Sequence, residues 1–218
     1  MSVFPLFSVP FVRTKLNNPA AINAELRSLF LKREAEGASW RNPQPTMPIP
    51  KGLYESKFDL FSWPDRCVQQ LHEFCMLELF KVIGEVNAYK LDELRELESQ
   101  THAWFHVTRR GGLFSSHNHP MASWSGVYCV DAGSSDPGET DSGVLHFQNP
   151  HQLASMYTDP ANNRMIDAYS LKGCNFHLAA GELVLFPSWL FHEVSPFKGT
   201  GERITVAFNT WFRKRGAT

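Results

Sequence analysis

The sequence has no excess charge of either sign, no long apolar run and no cysteine motif. Its 218 residues carry 21 Lys and Arg against 22 Asp and Glu, which is a formal net charge of -1. A balance this even gives no long-range attraction to nucleic acid or to an anionic membrane, so we expect neither as a partner. No stretch of about 18 uncharged apolar residues is present, so no membrane-spanning helix is expected.

The cysteines are too few and too scattered for a metal ribbon or a redox motif. No two of them form a C-x-x-C pair: they are Cys67, Cys75, Cys129 and Cys174. Free thiols in a reducing compartment are the simplest interpretation, and we expect a cytoplasmic protein. The segment 1–12 is apolar, has no Lys or Arg before its apolar run and includes Pro5 and Pro10, so it predicts a short edge strand rather than a signal peptide.

Two kinds of pattern divide the chain near residue 100. Before it, apolar residues recur at helical spacing, which predicts helices from Asn18-Pro19 to Gly37, from Pro64-Asp65 to near Gly84, and over residues 91–97. After it, short runs rich in Val, Phe, Trp and Tyr alternate with turn residues. These runs predict strands at residues 103–108, 124–131, 143–147, 175–178, 182–186 and 203–212. We expect one mainly β domain (1–218), in which a β-sandwich or barrel (101–213) carries the N-terminal strand and supporting helices (1–100) on its outside.

Three of the nine histidines stand apart by context. His117 and His119 are two residues apart, and on an extended chain such side chains point to the same face. His192 follows an apolar strand and has apolar neighbours, so we expect it to be partly buried and to need a partner, of which a metal is one. The others are interpreted as structural, hydrogen-bonded residues: His72, His102, His106, His146, His151 and His177.

The last predicted strand separates two faces by alternation. One face is apolar and suits packing on the helices: Ile204, Val206, Phe208, Thr210 and Phe212. The other is small and polar: Arg203, Thr205, Ala207 and Asn209. This second face suits the wall of an anion-binding cavity, because a guanidinium binds a carboxylate through two hydrogen bonds and Thr205 adds a hydroxyl donor. The alternative is a solvated sheet face with an exposed arginine.

Together these elements resemble the Fe(II)- and 2-oxoglutarate-dependent oxygenases over roughly residues 100–213. The family pattern is a His-x-acid pair, a distal His, and then an Arg with Ser or Thr two residues further on. The matching positions are His117 and His119, His192, Arg203 and Thr205. Stretches 125–128, 183–188 and 202–209 are similar to a small bacterial and phage branch of the family. The resemblance implies a double-stranded β-helix (a cupin-like jelly roll) with the metal near one mouth.

The resemblance also implies roles for these residues. Fe(II) would be held by His117, His119 and His192. Arg203 and Thr205 would bind the distal carboxylate of the co-substrate 2-oxoglutarate, whose oxidative decarboxylation accompanies hydroxylation of a substrate C–H bond. Tyr128 is a candidate hydrogen-bond donor to the co-substrate, although the core is the commoner place for such a residue, and residues 189–191 are a candidate dry wall.

One departure from the family pattern is that His119 stands where the family has an acid. We expect His119 to be the third ligand; the alternative is water or a carboxylate from elsewhere. Asp131, Asp141 and Glu193 are the candidates, of which Glu193 is the weakest because it adjoins His192 and would point the opposite way on an extended chain. The third imidazole leaves open a three-His cupin-type dioxygenase that does not use 2-oxoglutarate. A jelly-roll protein that only binds an anion or a partner is a further alternative.

Either a small molecule or a protein fits the sequence as the substrate. Long loops are where binding residues collect, so residues 42–50, 111–116, 134–141 and 151–163 are expected near the mouth. Lys57 and Arg109-Arg110 are candidates to meet an anionic substrate. The aromatic-rich helices would permit a homodimer interface.

Overall fold

A computed structural model describes residues 1–45, 47–135, 138–151 and 156–216. Within these ranges the helices are α1 (Ala20–Ala35), α2 (Arg66–Asn87) and α3 (Leu91–Arg95), with short 3-10 turns at Gly37–Ser39, Leu60–Ser62 and Asp167–Tyr169. The strands are β1 (Val12–Lys15), β2 (Leu53–Glu55), β3 (Leu97–Thr108), β4 (Phe114–His117), β5 (Trp124–Asp131), β6 (Leu145–Phe147), β7 (Cys174–Phe176), β8 (Glu182–Pro187), β9 (His192–Val194) and β10 (Arg203–Lys214).

The strands form two antiparallel sheets between which the chain repeatedly crosses. The larger sheet has the order β1-β8-β5-β10-β3-β2, and the smaller has the order β4-β9-β6-β7. From β3 onward, successive strands therefore pass from one sheet to the other, apart from the β6–β7 hairpin. This is a double-stranded β-helix, and it confirms the predicted fold class.

The helices cover the outer face of the larger sheet. Leu26 and Phe30 of α1 and Leu71 of α2 are fully buried against it, and the Phe30 ring stacks on Phe105 of β3 at 4.3 Å. The apolar face of β10 joins the same core, as its alternation predicts. Burying a side chain the size of Phe30 contributes about 1.5–3 kcal/mol, so this layer holds β10 and β3 in place from outside.

A second apolar cluster lies between the two sheets. It combines side chains of both: Cys129, Leu145, Phe147, Leu178, Val184, Phe186 and Leu190. Phe11 caps it, with its ring 5.0 Å from Phe147 and 4.7 Å from Phe176. This cluster fills one part of the space between the sheets, and an open cavity occupies another.

The structure corrects two predicted elements. Residues 1–11 form no strand; the edge strand is β1, which begins at Val12. Pro5 and Pro10 lack the N–H that a ladder requires, and Phe7 adopts φ 63°. The predicted helix over 91–97 ends at Arg95, because Leu97 already pairs with Lys214 at the far end of β10.

Two further expectations concern cysteines and membranes. All four cysteines are free thiols, as predicted, with Cys174 exposed and the others buried. In the ranges that the structure describes, no helix combines the length and the apolar character needed to cross a bilayer.

Candidate metal centre

Three histidine side chains meet at the junction of β4, β9 and the turn before β9. His117 ends β4 and pairs directly with His192, the first residue of β9. His119 lies two residues further on, where its backbone N–H donates to the Ser188 carbonyl at 2.8 Å. One nitrogen of each ring lies within 4.8 Å of the other two. The structure therefore brings together the three imidazoles that the sequence singled out.

Backbone carbonyls set the tautomers of two of these rings. His117 Nδ1 donates to the Ser115 carbonyl at 2.7 Å, and His192 Nδ1 donates to the Leu190 carbonyl at 2.9 Å. A carbonyl only accepts, so each Nδ1 carries the proton and each Nε2 keeps its lone pair. Metal-binding histidines in proteins usually have such a partner behind them. These two rings therefore fit a metal without rearrangement.

Burial keeps the three imidazoles neutral at physiological pH. Loss of solvent, together with the nearby His117 ring, lowers the pKa of His192 to about 3 and that of His119 to about 4. Burial also lowers the pKa of His117, although the Ser115 carbonyl opposes this shift. Only a neutral imidazole has a lone pair to offer, so the electrostatics of the site also fit a metal.

The carboxylates considered as a third ligand are engaged elsewhere. Asp131 accepts from Arg27 Nε at 3.0 Å and from the Gly133 N–H. Asp141 pairs with Lys198 Nζ at 2.9 Å. Glu193 lies between two residues of β9 that line the cavity, so it faces the opposite side. Among the described residues, the cluster of close metal-binding side chains is formed by histidines alone.

The three histidines open into a cavity of about 770 Å³ inside the barrel. Its floor consists of two adjacent rows. The β10 row contains Arg203, Thr205, Ala207, Asn209 and Trp211, and the β3 row contains His102, Trp104 and His106. The face of β10 that alternation assigned to a cavity thus lines one.

Arg203 is a buried cation at the first residue of β10. It is 5% exposed, and no carboxylate of the described chain pairs with it. Gly143, at φ 61°, lies so close that a Cβ there would be 3.0 Å from Arg203 Cδ. Burial lowers the pKa of the guanidinium, which nevertheless stays charged in proteins. A buried charge needs a counter-charge, so this part of the cavity suits an anion, and the hydroxyl of Thr205 lies on the same row.

Sequence reasoning missed an acidic residue in the cavity wall. Glu55 of β2 accepts from Asn42 Nδ2 at 2.7 Å, and its Oε2 lies 3.1 Å from His106 Nε2. Trp104 Nε1 lies 3.0 Å from the same His106 nitrogen, which either accepts from Trp104 or donates to Glu55, according to the tautomer. Burial opposes ionisation of Glu55, but its interactions with His106 and Asn42 outweigh this effect and hold its pKa below the ordinary value.

The available sequence signal for this group was the spacing of His102 and His106. Residues four apart on a strand share a face, yet both histidines were interpreted as structural. His106 is buried and hydrogen-bonded, as that interpretation expects, and both histidines also line the cavity. Glu55 itself lies on a three-residue strand that no pattern predicted.

Tyr128 and the segment 189–191, which the sequence suggested for the cavity, lie outside it. The Tyr128 hydroxyl donates to Asn23 Oδ1 at 2.7 Å in the core beneath α1, so Tyr128 does not face the co-substrate pocket. Trp189 and Phe191 are 49% and 45% exposed and do not form a dry wall, whereas Leu190 between them is buried. The turn between β8 and β9 carries alternate residues outward, which a run of apolar letters does not reveal.

Two of the four predicted loops border the cavity. Residues 47–50 and 113–115 line it, while the described parts of 134–141 and 151–163 do not. Residues 46, 136–137 and 152–155 of these loops lie outside the described ranges. Arg109 is paired with Glu34 at 2.6 Å, and neither it nor Lys57 lines the cavity.

Comparisons with known proteins agree with this geometry. Residues 102–209 match the model of a family described as "Putative 2OG-Fe(II) oxygenase", and this range includes the three histidines, Arg203 and Thr205. No curated protein matches the sequence.

Solved structures share the fold at low identity. The chain is similar to a prolyl-4-hydroxylase of Pseudomonas putida, with 20% identity, 96% of this chain and 95% of that chain covered, and a TM-score of 0.60. It is also similar to a Trichoplax adhaerens prolyl hydroxylase in complex with a hypoxia inducible factor peptide, with 12% identity, 92% of this chain and 83% of that chain covered, and a TM-score of 0.61. A third similar structure is HygX of Streptomyces hygroscopicus with nickel, 2-oxoglutarate and hygromycin B bound, with 11% identity, 93% of this chain and 83% of that chain covered, and a TM-score of 0.55.

The fold and the matched range define the class: residues 102–209 belong to the 2OG-Fe(II) oxygenase superfamily. The protein is accordingly an oxidoreductase of a family that uses Fe(II) and 2-oxoglutarate.

Proposed function

We propose that the protein is a dioxygenase that uses Fe(II) and 2-oxoglutarate to hydroxylate a C–H bond of its substrate. The observation that carries this proposal is a cavity whose walls hold three neutral imidazoles and a buried guanidinium that no described carboxylate pairs with. Imidazoles suit Fe(II), and a guanidinium suits a carboxylate. Membership of the superfamily supports the same assignment and favours catalysis over a jelly-roll protein that only binds an anion.

The histidines have the role of metal ligands in this proposal. His117 and His192 bind through Nε2, because the carbonyls of Ser115 and Leu190 hold the Nδ1 protons. His119 completes the set in the place of the usual acid. When bound, the iron and 2-oxoglutarate supply the oxidising chemistry, and the chain holds the ligands in position.

Arg203 and Thr205 have the role of co-substrate anchors. The guanidinium can donate two parallel hydrogen bonds to the distal carboxylate of 2-oxoglutarate, and the Thr205 hydroxyl can donate a third. Both lie on the inward row of β10, whose outward row is locked into the helical core, so their positions are fixed by packing. Leu145 and Val194 add apolar wall to the same cavity and exclude water from it.

An anaerobic titration tests the proposal. Metal-free protein is loaded with Fe(II), 2-oxoglutarate is added without oxygen, and the visible spectrum is recorded. We expect a weak charge-transfer band that disappears in His192→Ala. Iron binding without any band, or 2-oxoglutarate binding without iron binding, would contradict the proposed function.

A three-His dioxygenase that does not use 2-oxoglutarate is the second candidate. The third imidazole at His119 favours it, while Arg203, which has no carboxylate partner among the described residues, favours a co-substrate with a distal carboxylate. Oxygen consumption with cysteine as substrate separates the two. Consumption that requires Fe(II) and is indifferent to 2-oxoglutarate would select the second candidate.

A further inference from the structure

The cavity wall carries one charged side chain of each sign. Among the described residues that line it, Glu55 is the only carboxylate, and Arg203 is the only Lys or Arg. The Glu55 side chain is 13% exposed. Every other lining residue is apolar or uncharged, so these two groups dominate the electrostatics of the interior.

The polar partners of Glu55 do not neutralise it. Asn42 donates an amide N–H, which is uncharged. Burial lowers the pKa of His106, which favours a neutral ring whether its Nε2 accepts from Trp104 or donates to Glu55. No lysine or arginine of the described chain forms an ion pair with Glu55. An enclosed carboxylate with only neutral partners is costly unless the contents of the cavity bring positive charge.

The metal site proposed above has the opposite imbalance, which is an excess of positive charge once iron and 2-oxoglutarate are bound. The two positive charges of Fe(II) and the two negative charges of 2-oxoglutarate cancel, which leaves the guanidinium charge of Arg203. In a two-His-one-carboxylate site the ligand carboxylate cancels that remainder. Here His119 stands in its place and contributes no charge, so the loaded cavity is short of one negative charge.

We propose that Glu55 supplies from the cavity wall the negative charge that the third metal ligand does not. This inference rests on the proposed function. Glu55 is a positioning residue, which acts on the metal through its electric field and not as a ligand. Its strand, β2, pairs with β3 so that Glu55 lies beside His106, and the ring of Phe114 on β4 lies 4.3 Å from the His106 ring.

The shared cavity supports this position. Glu55 and His117 both line it, so a metal ion bound to His117 places positive charge in the space that the Glu55 carboxylate borders. The interaction requires no contact between Glu55 and the metal.

Binding of Co(II) to the metal-free full-length chain tests the proposal without relying on activity. Glu55→Gln keeps the shape and the hydrogen-bonding capacity of the side chain and removes its charge. We expect the dissociation constant for Co(II), measured by competition with a chelator, to rise about 10-fold, which is in the range for partners outside the coordination sphere. Glu85→Gln removes an exposed carboxylate from α2 and is expected to leave the constant unchanged.

A double-mutant cycle separates charge compensation from a structural role. His119→Asp puts a carboxylate at the third ligand position, so the field of Glu55 is no longer needed. We expect Glu55→Gln to weaken Co(II) binding by less than about 3-fold in that background, because contacting or field-coupled residues are non-additive. An equal effect of Glu55→Gln in both backgrounds would overturn the proposal, as would a loss in Glu55→Asp as large as in Glu55→Gln.

The same proteins distinguish the other use of such a carboxylate, which is to anchor a substrate amine. If Glu55→Gln leaves Co(II) binding unchanged but abolishes binding of 4-phenylbutylamine relative to 4-phenylbutanol, the charge serves the substrate and the proposal is wrong. Failure of the wild-type chain to bind Co(II) would instead remove the proposed function itself. Normal Co(II) and 2-oxoglutarate binding with no effect of Glu55→Gln would remove this inference alone.

Discussion

His117 and His192 face each other across the β4–β9 pair with their ring centroids 4.3 Å apart, and each donates its Nδ1–H to the carbonyl of the residue two positions before it. The two rings are therefore oriented by their own backbone. Because the partner of each Nδ1 is fixed, the lone pairs of both Nε2 atoms are presented before any metal arrives. A site organised in this way does not have to reorient these ligands when it binds an ion.

Metal binding should stabilise the fold through His192. At a Co(II) concentration of 100 times the dissociation constant, the free energy of unfolding in urea should rise by about 2.7 kcal/mol. His192→Ala should show no such rise, since a principal ligand is lost. His146→Ala removes a histidine that does not line the cavity and should retain the full rise. A full rise in His192→Ala would place the metal elsewhere.

Arg203→Met should weaken 2-oxoglutarate binding to the metal-loaded protein by about 2–3 kcal/mol, since one buried charge-assisted pair is removed. 2-Oxobutyrate lacks the distal carboxylate and should bind both proteins equally, as measured by calorimetry. Arg213→Met, at the exposed end of the same strand, is the control and should change neither affinity. Equal 2-oxoglutarate affinity in Arg203→Met would exclude the anchoring role.

Gly143→Ala should displace the Arg203 side chain and so disturb its contact with 2-oxoglutarate. Gly143 has φ 61°, and a Cβ would lie 3.0 Å from Cδ and 3.2 Å from Nε of Arg203. We expect weaker 2-oxoglutarate binding, unchanged Co(II) binding and a backbone cost of about 1–2 kcal/mol. Gly37→Ala has the same kind of backbone penalty, at φ 77°, with nothing within 4 Å, and should lower stability without altering 2-oxoglutarate affinity. If Gly143→Ala and Gly37→Ala changed the 2-oxoglutarate affinity equally, the proposed contact between position 143 and Arg203 would be contradicted.

Tyr128→Phe should destabilise the fold and leave co-substrate binding intact. The Tyr128 hydroxyl satisfies the buried Asn23 Oδ1, and removing it should cost about 1–3 kcal/mol in urea unfolding. Tyr54→Phe is the matched control, because the buried Tyr54 hydroxyl has no hydrogen-bond partner in the described structure and its loss should cost little. A drop in 2-oxoglutarate affinity in Tyr128→Phe would show that Tyr128 contacts the co-substrate, against the structure.

Metal-free protein should lose stability on acidification through His119. Its pKa is about 4 in the folded chain against an ordinary value of 6.5. Above pH 6.5 both states are neutral there and the residue adds no pH dependence. Between pH 6.5 and 4 the unfolded chain binds the proton first, so the free energy of unfolding falls as the pH falls. In urea titrations with a chelator present, His119→Gln should show a shallower fall, and an identical slope would refute the shift.

Alternation along single strands was enough to predict part of the site. The inward row of β10 follows from period-two geometry once its first residue is assigned, and this row includes Arg203 and Thr205. The pair His117 and His119 was readable for the same reason. Tyr128, by contrast, was readable only as an ambiguous residue, since an aromatic strand residue serves either a core or a pocket, and here the helices cover its side of the sheet.

Local pattern alone determined the elements, their faces and the residue types suited to a metal and an anion, because periodicity and side-chain chemistry act over a few neighbouring positions. The tertiary structure decided which of those residues share a cavity. His192 meets His117 only because β9 pairs with β4, and Glu55 enters the cavity only because β2 joins the edge of β3. Such strand pairings join residues far apart in the chain, and the free energy that selects them comes from burying the whole core.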